Sequence, residues 1–126
     1  MELMTVVVIV GIVASFAIPN YQRTIERAHL RDAQTNLMSI HAANQIYRAE
    51  NSVYWPDPVG GPRDVTAINT NLRLSIIPNG MQYLCTTTTL NNYSCSAQRV
   101  SGAAFTVTVT EAPTGPGNPA CTGACP

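Results

Sequence analysis

From Leu3 to Ile18 the chain runs for sixteen residues without a charge, and Glu2 stands at the edge of that run. A helix over this stretch is apolar on every side, so all of its faces must be covered by something other than water. It would span about 24 Å, slightly less than a ~30 Å hydrocarbon core. From Asn20 to Glu50 the pattern changes. Leu30, Ala33, Leu37, Ile40 and Tyr47, with Ile46 beside the last, recur at helical spacing along one face. Arg23, Arg27 and Arg31 line another face at four-residue steps. Neither Gly nor Pro interrupts Asn20–Glu50. The two stretches therefore predict one helix of about fifty residues, buried all round in its first half and on one side in its second.

Residues 51–80 are rich in turn formers, with Pro56, Pro58, Gly60, Gly61 and Pro62 excluding regular structure early on. Asp64 can cap a short helix carrying Val65, Ile68 and Leu72. Tyr54 and Trp55 read as anchors of this loop on the core. Residues 81–111 read as strands: MQYLCTTTTL, YSCSAQRV and AAFTVTVTE are separated by Asn91-Asn92 and Ser101-Gly102. In the last run Phe105, Val107 and Val109 alternate with Thr106, Thr108 and Thr110, which predicts a meander with one buried face. The tail, residues 112–126, reads as loop. The fold class is α+β: a long N-terminal helix whose second half packs on a small antiparallel sheet of three to four strands.

Composition sharpens this picture. Only 11% of the residues are charged, against a usual ~25%, so much of the surface must lie in a membrane or against other copies of the chain. The formal net charge is zero, and all seven basic residues are Arg. Overall charge therefore makes no case for nucleic acid or for an anionic membrane surface, and no direct nucleic-acid site is evident. The start is acidic and the apolar run passes straight into a second helical pattern, which argues against a cleaved signal peptide. No serine, histidine and acid cluster, phosphate loop or metal pattern appears in the second half. No catalytic residue and no cofactor is expected, and the chain does not read as an enzyme.

Four cysteines, Cys85, Cys95, Cys121 and Cys125, fall in the last third. Their even number suggests disulfides and an oxidising compartment. Their spacings match no common zinc knuckle, so no metal site is assigned. Cys85 and Cys95 are equidistant from Leu90, so a hairpin with an odd-numbered loop centred there sets them opposite each other. A two-residue turn at Asn91-Asn92 would instead pair Cys85 with Gln98. The expected bridges are Cys85–Cys95 and Cys121–Cys125, with Gly123 easing the small loop.

The N-terminal segment resembles that of bacterial type IV pilins. That family combines a lone Glu, an apolar run, a Gly nine residues after the Glu and a Pro seventeen after it. Here Glu2, Gly11 and Pro19 fall at those spacings in ELMTVVVIVGIVASFAIPNYQ. The close resemblance covers about twenty-five residues. The family's methylated N-terminal Phe and cleaved leader do not precede Glu2, so Met1 is expected to be an internal position. The resemblance implies a structural subunit, with residues 1–24 as the transmembrane and filament-core half-helix and 25–126 as the head. Within the head it implies a half-helix at 25–50, a variable loop at 51–80, a meander at 81–111 and a cysteine-bearing tail at 112–126. It also implies the major subunit, a homopolymer of identical copies in a type IV pilus, serving motility, adhesion or DNA uptake. Further partners are a prepilin peptidase, the assembly machinery and the inner membrane before assembly. A pseudopilin of a type II secretion system is the alternative. The major pseudopilin carries a calcium site of acidic residues in its C-terminal loop, and no Asp or Glu follows Glu111 here.

Three further expectations concern assembly. A carboxylate near hydrocarbon wants a partner, and in a filament core the nearest cation is a neighbour's N-terminal amine; Glu2 then marks the register between subunits. Pro19 removes a helical hydrogen bond and Gly11 lowers helix propensity, so the segment between them is expected to open in the filament. Arg23, Arg27 and Arg31 repel one another by ~0.2–0.5 kcal/mol per pair; Glu26 can pair with Arg23, three residues before it, but cannot satisfy all three. Acids of neighbouring subunits, with Asp57 and Asp64 as candidates, would complete the set.

Overall fold

The structure, a computed structural model, describes residues 2–57, 60–111 and 119–126. Helix α1 spans Glu2–Asn51 without interruption. It ends where Ser52 turns to positive φ and its N–H returns to the Arg48 carbonyl. The described side chains of residues 2–25 are all exposed, and burial begins at Glu26. Beyond that point one stripe turns inward. Ala33, Leu37, Ile40 and Asn44 are fully buried, with Leu30 and Tyr47 packed at the edges, whereas Ile46 faces outward.

The stripe lies on an antiparallel sheet. Its strands are β1 (Gly60–Arg63), β2 (Met81–Thr89), β3 (Asn92–Arg99), β4 (Phe105–Thr110) and β5 (Ala120–Gly123), paired in chain order. The inner face carries Met81, Tyr83, Cys85, Tyr93, Cys95, Ala97, Phe105, Val107 and Val109, all buried. Strict alternation places these residues together, since successive strand side chains point to opposite faces. The short helix α2 (Val65–Asn71) starts at Asp64, whose Oδ1 accepts from the Ala67 N–H at 3.0 Å. It closes one end of the core with Ile68, and Leu72 follows at its C-cap.

Among the described residues the sheet thus has five strands, against the three to four expected. β1 lies in the segment where prolines and glycines were expected to exclude regular structure, and β5 lies in a tail expected to be loop. Both are edge strands made by their neighbour. β1 takes its hydrogen bonds from β2 through an irregular register, and β5 takes them from β4, with Val107 opposite Cys121. An edge strand needs no apolar alternation of its own when a paired neighbour supplies the ladder. The loop expectation for residues 112–118 and the reading of Met1 lie outside the described residues.

In the β2–β3 hairpin Cys85 stands opposite Cys95 and Thr87 opposite Tyr93, a register centred on Leu90. A shift between Thr87 and Thr89 then lets the hairpin close through Leu90 and Asn91, one residue earlier than the Asn91-Asn92 separator suggests. The extra residue before the turn keeps the two cysteines in register. Cys85 is bonded to Cys95 and Cys121 to Cys125.

Candidate assembly surfaces

The N-terminal half of α1 is a bare apolar rod. Leu3 is 82% exposed and Phe16 75%, and no large apolar side chain described between Leu3 and Ile18 is less than half exposed. The helix is long and apolar enough to cross a membrane. Glu2 opens its first turn, where a negative charge suits the helix dipole. A side chain at Gly11 would meet nothing within 4 Å. The helix continues through Pro19 in the single chain, although proline has no N–H to donate to the Ser15 carbonyl. The Ser15 hydroxyl donates to the Ile12 carbonyl at 2.7 Å in the same stretch. The expected opening of Gly11–Pro19 concerns the assembled filament.

At the base of the head, Arg23, Arg27 and Arg31 are exposed. Glu26 does not neutralise them. Its carboxylate turns to the sheet and accepts from Arg99, with Oε2 3.2 Å from Nε and Oε1 3.5 Å from Nη2. Arg99 also donates to the Gly80 carbonyl at 2.9 Å. Gly102, at φ +107°, leaves room for this pair, since a side chain there would strike Glu26 Oε1. The pairing of Glu26 with Arg23 weighed from sequence is therefore replaced by a bond across 73 residues. Water screens a pair of exposed helical neighbours, whereas the Arg99 and Glu26 side chains are largely shielded from it, which strengthens their bond. The next acid, Asp32, is half-buried, and its Oδ2 is shielded from solvent without a hydrogen-bond partner among the described residues. Of the candidate acids for neighbouring subunits, Asp57 is exposed and Asp64 serves as the α2 cap.

The upper half of α1 is tied to the head by a polar network that the sequence did not reveal. Asn44 clamps Trp55 twice: its Oδ1 accepts from the Trp55 N–H and its Nδ2 donates to the Trp55 carbonyl, both at 2.9 Å. An Asn at helical spacing between Ile40 and Tyr47 was the available signal. Arg48 donates to the Tyr54 hydroxyl at 2.7 Å and lies over its ring. Tyr54 packs against Tyr93 with the rings tilted by 54° and their centroids 5.1 Å apart. The Tyr93 hydroxyl meets His41 Nδ1, and Gln45 Nε2 donates to Glu111 Oε2 at 3.1 Å.

Burial is the main cause that pushes the Tyr93 hydroxyl far above the ordinary tyrosine range, with Glu111 and Tyr54 adding to it. Tyr83 is raised too, chiefly by burial, while the hydrogen bond from Asn36 works against the shift. Both groups hold their protons more tightly when folded. They add stability below the unfolded pKa of ~10 and lose that contribution as pH rises from there toward the folded values. The head is therefore expected to lose stability above pH ~10, and Tyr93→Phe should flatten that decline. Urea midpoints measured from pH 8 to 11 check this; parallel curves for parent and variant would contradict it.

Among the described residues, no group of three or more His, Cys, Asp or Glu side chains could hold a metal ion. The chain resembles known proteins over part of its length. It is 43% identical to the type II secretion system core protein G of Vibrio cholerae over 54 residues, which is 43% of this chain and 37% of that protein. It is 40% identical to the type IV major pilin protein PilA of Myxococcus xanthus over 53 residues, 42% of this chain and 24% of that protein. The chain thus matches only about a quarter to two fifths of the length of its curated relatives. No solved structure matches the chain at significance. A family model described as "Type IV minor pilin ComP, DNA uptake sequence receptor" matches residues 19–124. With a rod-and-head fold that agrees and a family match covering nearly the whole head, the chain belongs to this family of type IV pilins.

Proposed function

We propose that the chain is a non-enzymatic structural subunit that waits in the inner membrane and then joins a type IV pilus on the cell surface. The observation that carries this reading is the contrast between a closed, disulfide-bonded head and a wholly exposed apolar half-helix. Such a rod is stable only in lipid or against other rods, and a helical filament of identical units covers every face of it. Glu2 then pairs with a neighbour's N-terminal amine, and Asp57, exposed and not engaged as a helix cap, is the freer of the two candidate acids for the Arg row. A prepilin peptidase and an assembly machinery act before this stage.

Shearing cells that carry a tagged chain tests the reading. The chain should appear along long fibres, and its absence from all sheared material would overturn it. The copy number per fibre separates the major subunit that the N-terminal resemblance implies from the minor role named in the family description. The family match also supports a second reading, in which the head receives DNA. A gel shift of labelled duplex by the full chain in detergent should then appear and weaken with salt. Short periplasmic fibres with lost protein secretion would instead favour the pseudopilin alternative.

The Gly11–Pro19 segment supplies one more expected result. Proline inside a helix costs ~3 kcal/mol or more. Pro19→Ala should therefore stiffen the rod, and single fibres of the variant should extend less under force. Matching force–extension curves would remove the proposed opening.

A further inference from the structure

We propose that Tyr21, Arg23 and Arg27 form a collar that grips the anionic headgroups of the membrane holding the unassembled subunit, with Arg31 adding to the field above it. The inference rests on the reading of residues 3–18 as a membrane span. The collar begins where that span ends. Along a helix Arg23 stands about 7.5 Å beyond Ile18 and Arg27 about 13.5 Å. A headgroup layer is ~5–8 Å deep on each side of the hydrocarbon, so Arg23 lies within it. Helical side chains lean toward the N-terminus, here toward the membrane, so Arg27 can reach back to the same layer. Arg31, about 19.5 Å out, acts only through its field, which salt screens over ~8–10 Å. Tyr21, 69% exposed, sits at the height where aromatic rings favour the interface.

The structure supplies what the net charge conceals. Glu26 and Asp32 are the only acids between Leu3 and Arg48, and both turn away from the row. Glu26 is held by Arg99, and Asp32 points one carboxylate oxygen into a site shielded from solvent. Three exposed guanidiniums therefore face outward without a carboxylate partner among the described residues. Guanidinium suits phosphate because its planar fork donates two parallel hydrogen bonds. Arg99 thus acts as a positioning residue, because it keeps the one acid inside the row from neutralising the row.

The test uses the full chain in nanodiscs of equal phosphatidylcholine and phosphatidylglycerol. The chain is released into mild detergent, and the lipids it retains are counted by native mass spectrometry. The parent should retain phosphatidylglycerol preferentially. The preference should fall about fivefold for each headgroup-level Arg removed, so Arg23→Gln and Arg27→Gln should exceed Arg31→Gln. Arg99→Gln, checked for an intact head by circular dichroism, should also lower it by releasing Glu26 toward the row. Glu26→Gln should not lower it. Equal retention of the two lipids by the parent, or a preference that survives loss of all three Arg, would overturn the collar. So would an Arg31 effect as large as that of Arg23, or a row that shifts labelled duplex DNA yet shows no lipid preference. Incorporation into sheared fibres is a separate readout, so failure of the filament reading and failure of the collar are told apart.

Discussion

A chain carrying Asn44→Ala is expected to lose about 3 kcal/mol of head stability. The substitution removes two hydrogen bonds and leaves the buried N–H and carbonyl of Trp55 without partners. Each such bond contributes ~0.5–1.5 kcal/mol net, and each orphaned group costs ~1–3 kcal/mol. Asn44 is fully buried, so water cannot take its place without opening the contact between α1 and the loop that follows it. Asn44→Asp keeps the acceptor for the Trp55 N–H but loses the donor to its carbonyl and buries a charge, so it should be no better tolerated at neutral pH. Trp55 is the only tryptophan, and its fluorescence reports urea unfolding at the clamp itself. A loss below 1 kcal/mol for Asn44→Ala would show that the loop is held by packing alone.

The second large effect belongs to the disulfides. Chain-entropy estimates give ~3 kcal/mol for the Cys85–Cys95 bridge and ~2 kcal/mol for Cys121–Cys125. The first joins neighbouring strands at the centre of the inner face, where both residues are fully buried. The second closes a loop at an edge, where Cys125 is exposed. Paired Cys→Ala variants should therefore rank in that order in urea, and the edge variant should unfold with a nearly unchanged slope. A reversed order would mean that β5 carries more of the head's stability than its exposure implies.

What could be read in the sequence followed the reach of its signals. Phe105, Val107 and Val109 alternate with threonines, and that local pattern was enough to place β4 and its buried face. Leu30, Ala33, Leu37 and Ile40 did the same for α1, and Asp64 for the start of α2. Ala120–Gly123 carries no such pattern. It is a strand because β4 offers it an open ladder, a fact that exists only after the chain has folded. The Glu26–Arg99 bond joins residues that no local window contains, so Glu26 looked available to its neighbours on the helix. The Arg row itself was plain in its four-residue spacing, but a net charge of zero hid what it could bind, because a sum over the chain discards position. The Asn44 clamp was missed because an Asn on an apolar face reads as a flaw in the stripe when it is the peg that holds the next loop. Glu2, Gly11 and Pro19 were conspicuous from the start, since a charge, a Gly and a Pro are rare in such a run.

Gly123 governs how the end of this chain can drift over generations. It sits at φ +92°, and a side chain there would come within 2.6 Å of the Ala104 carbonyl, so any other residue would strain the backbone and push β5 off β4. Thr122 and Ala124, on either side of it, are exposed. Substitutions should accumulate at those two positions inside the Cys121–Cys125 ring while the glycine stays fixed. A lineage could thus present a changing face at this edge on an unchanging frame.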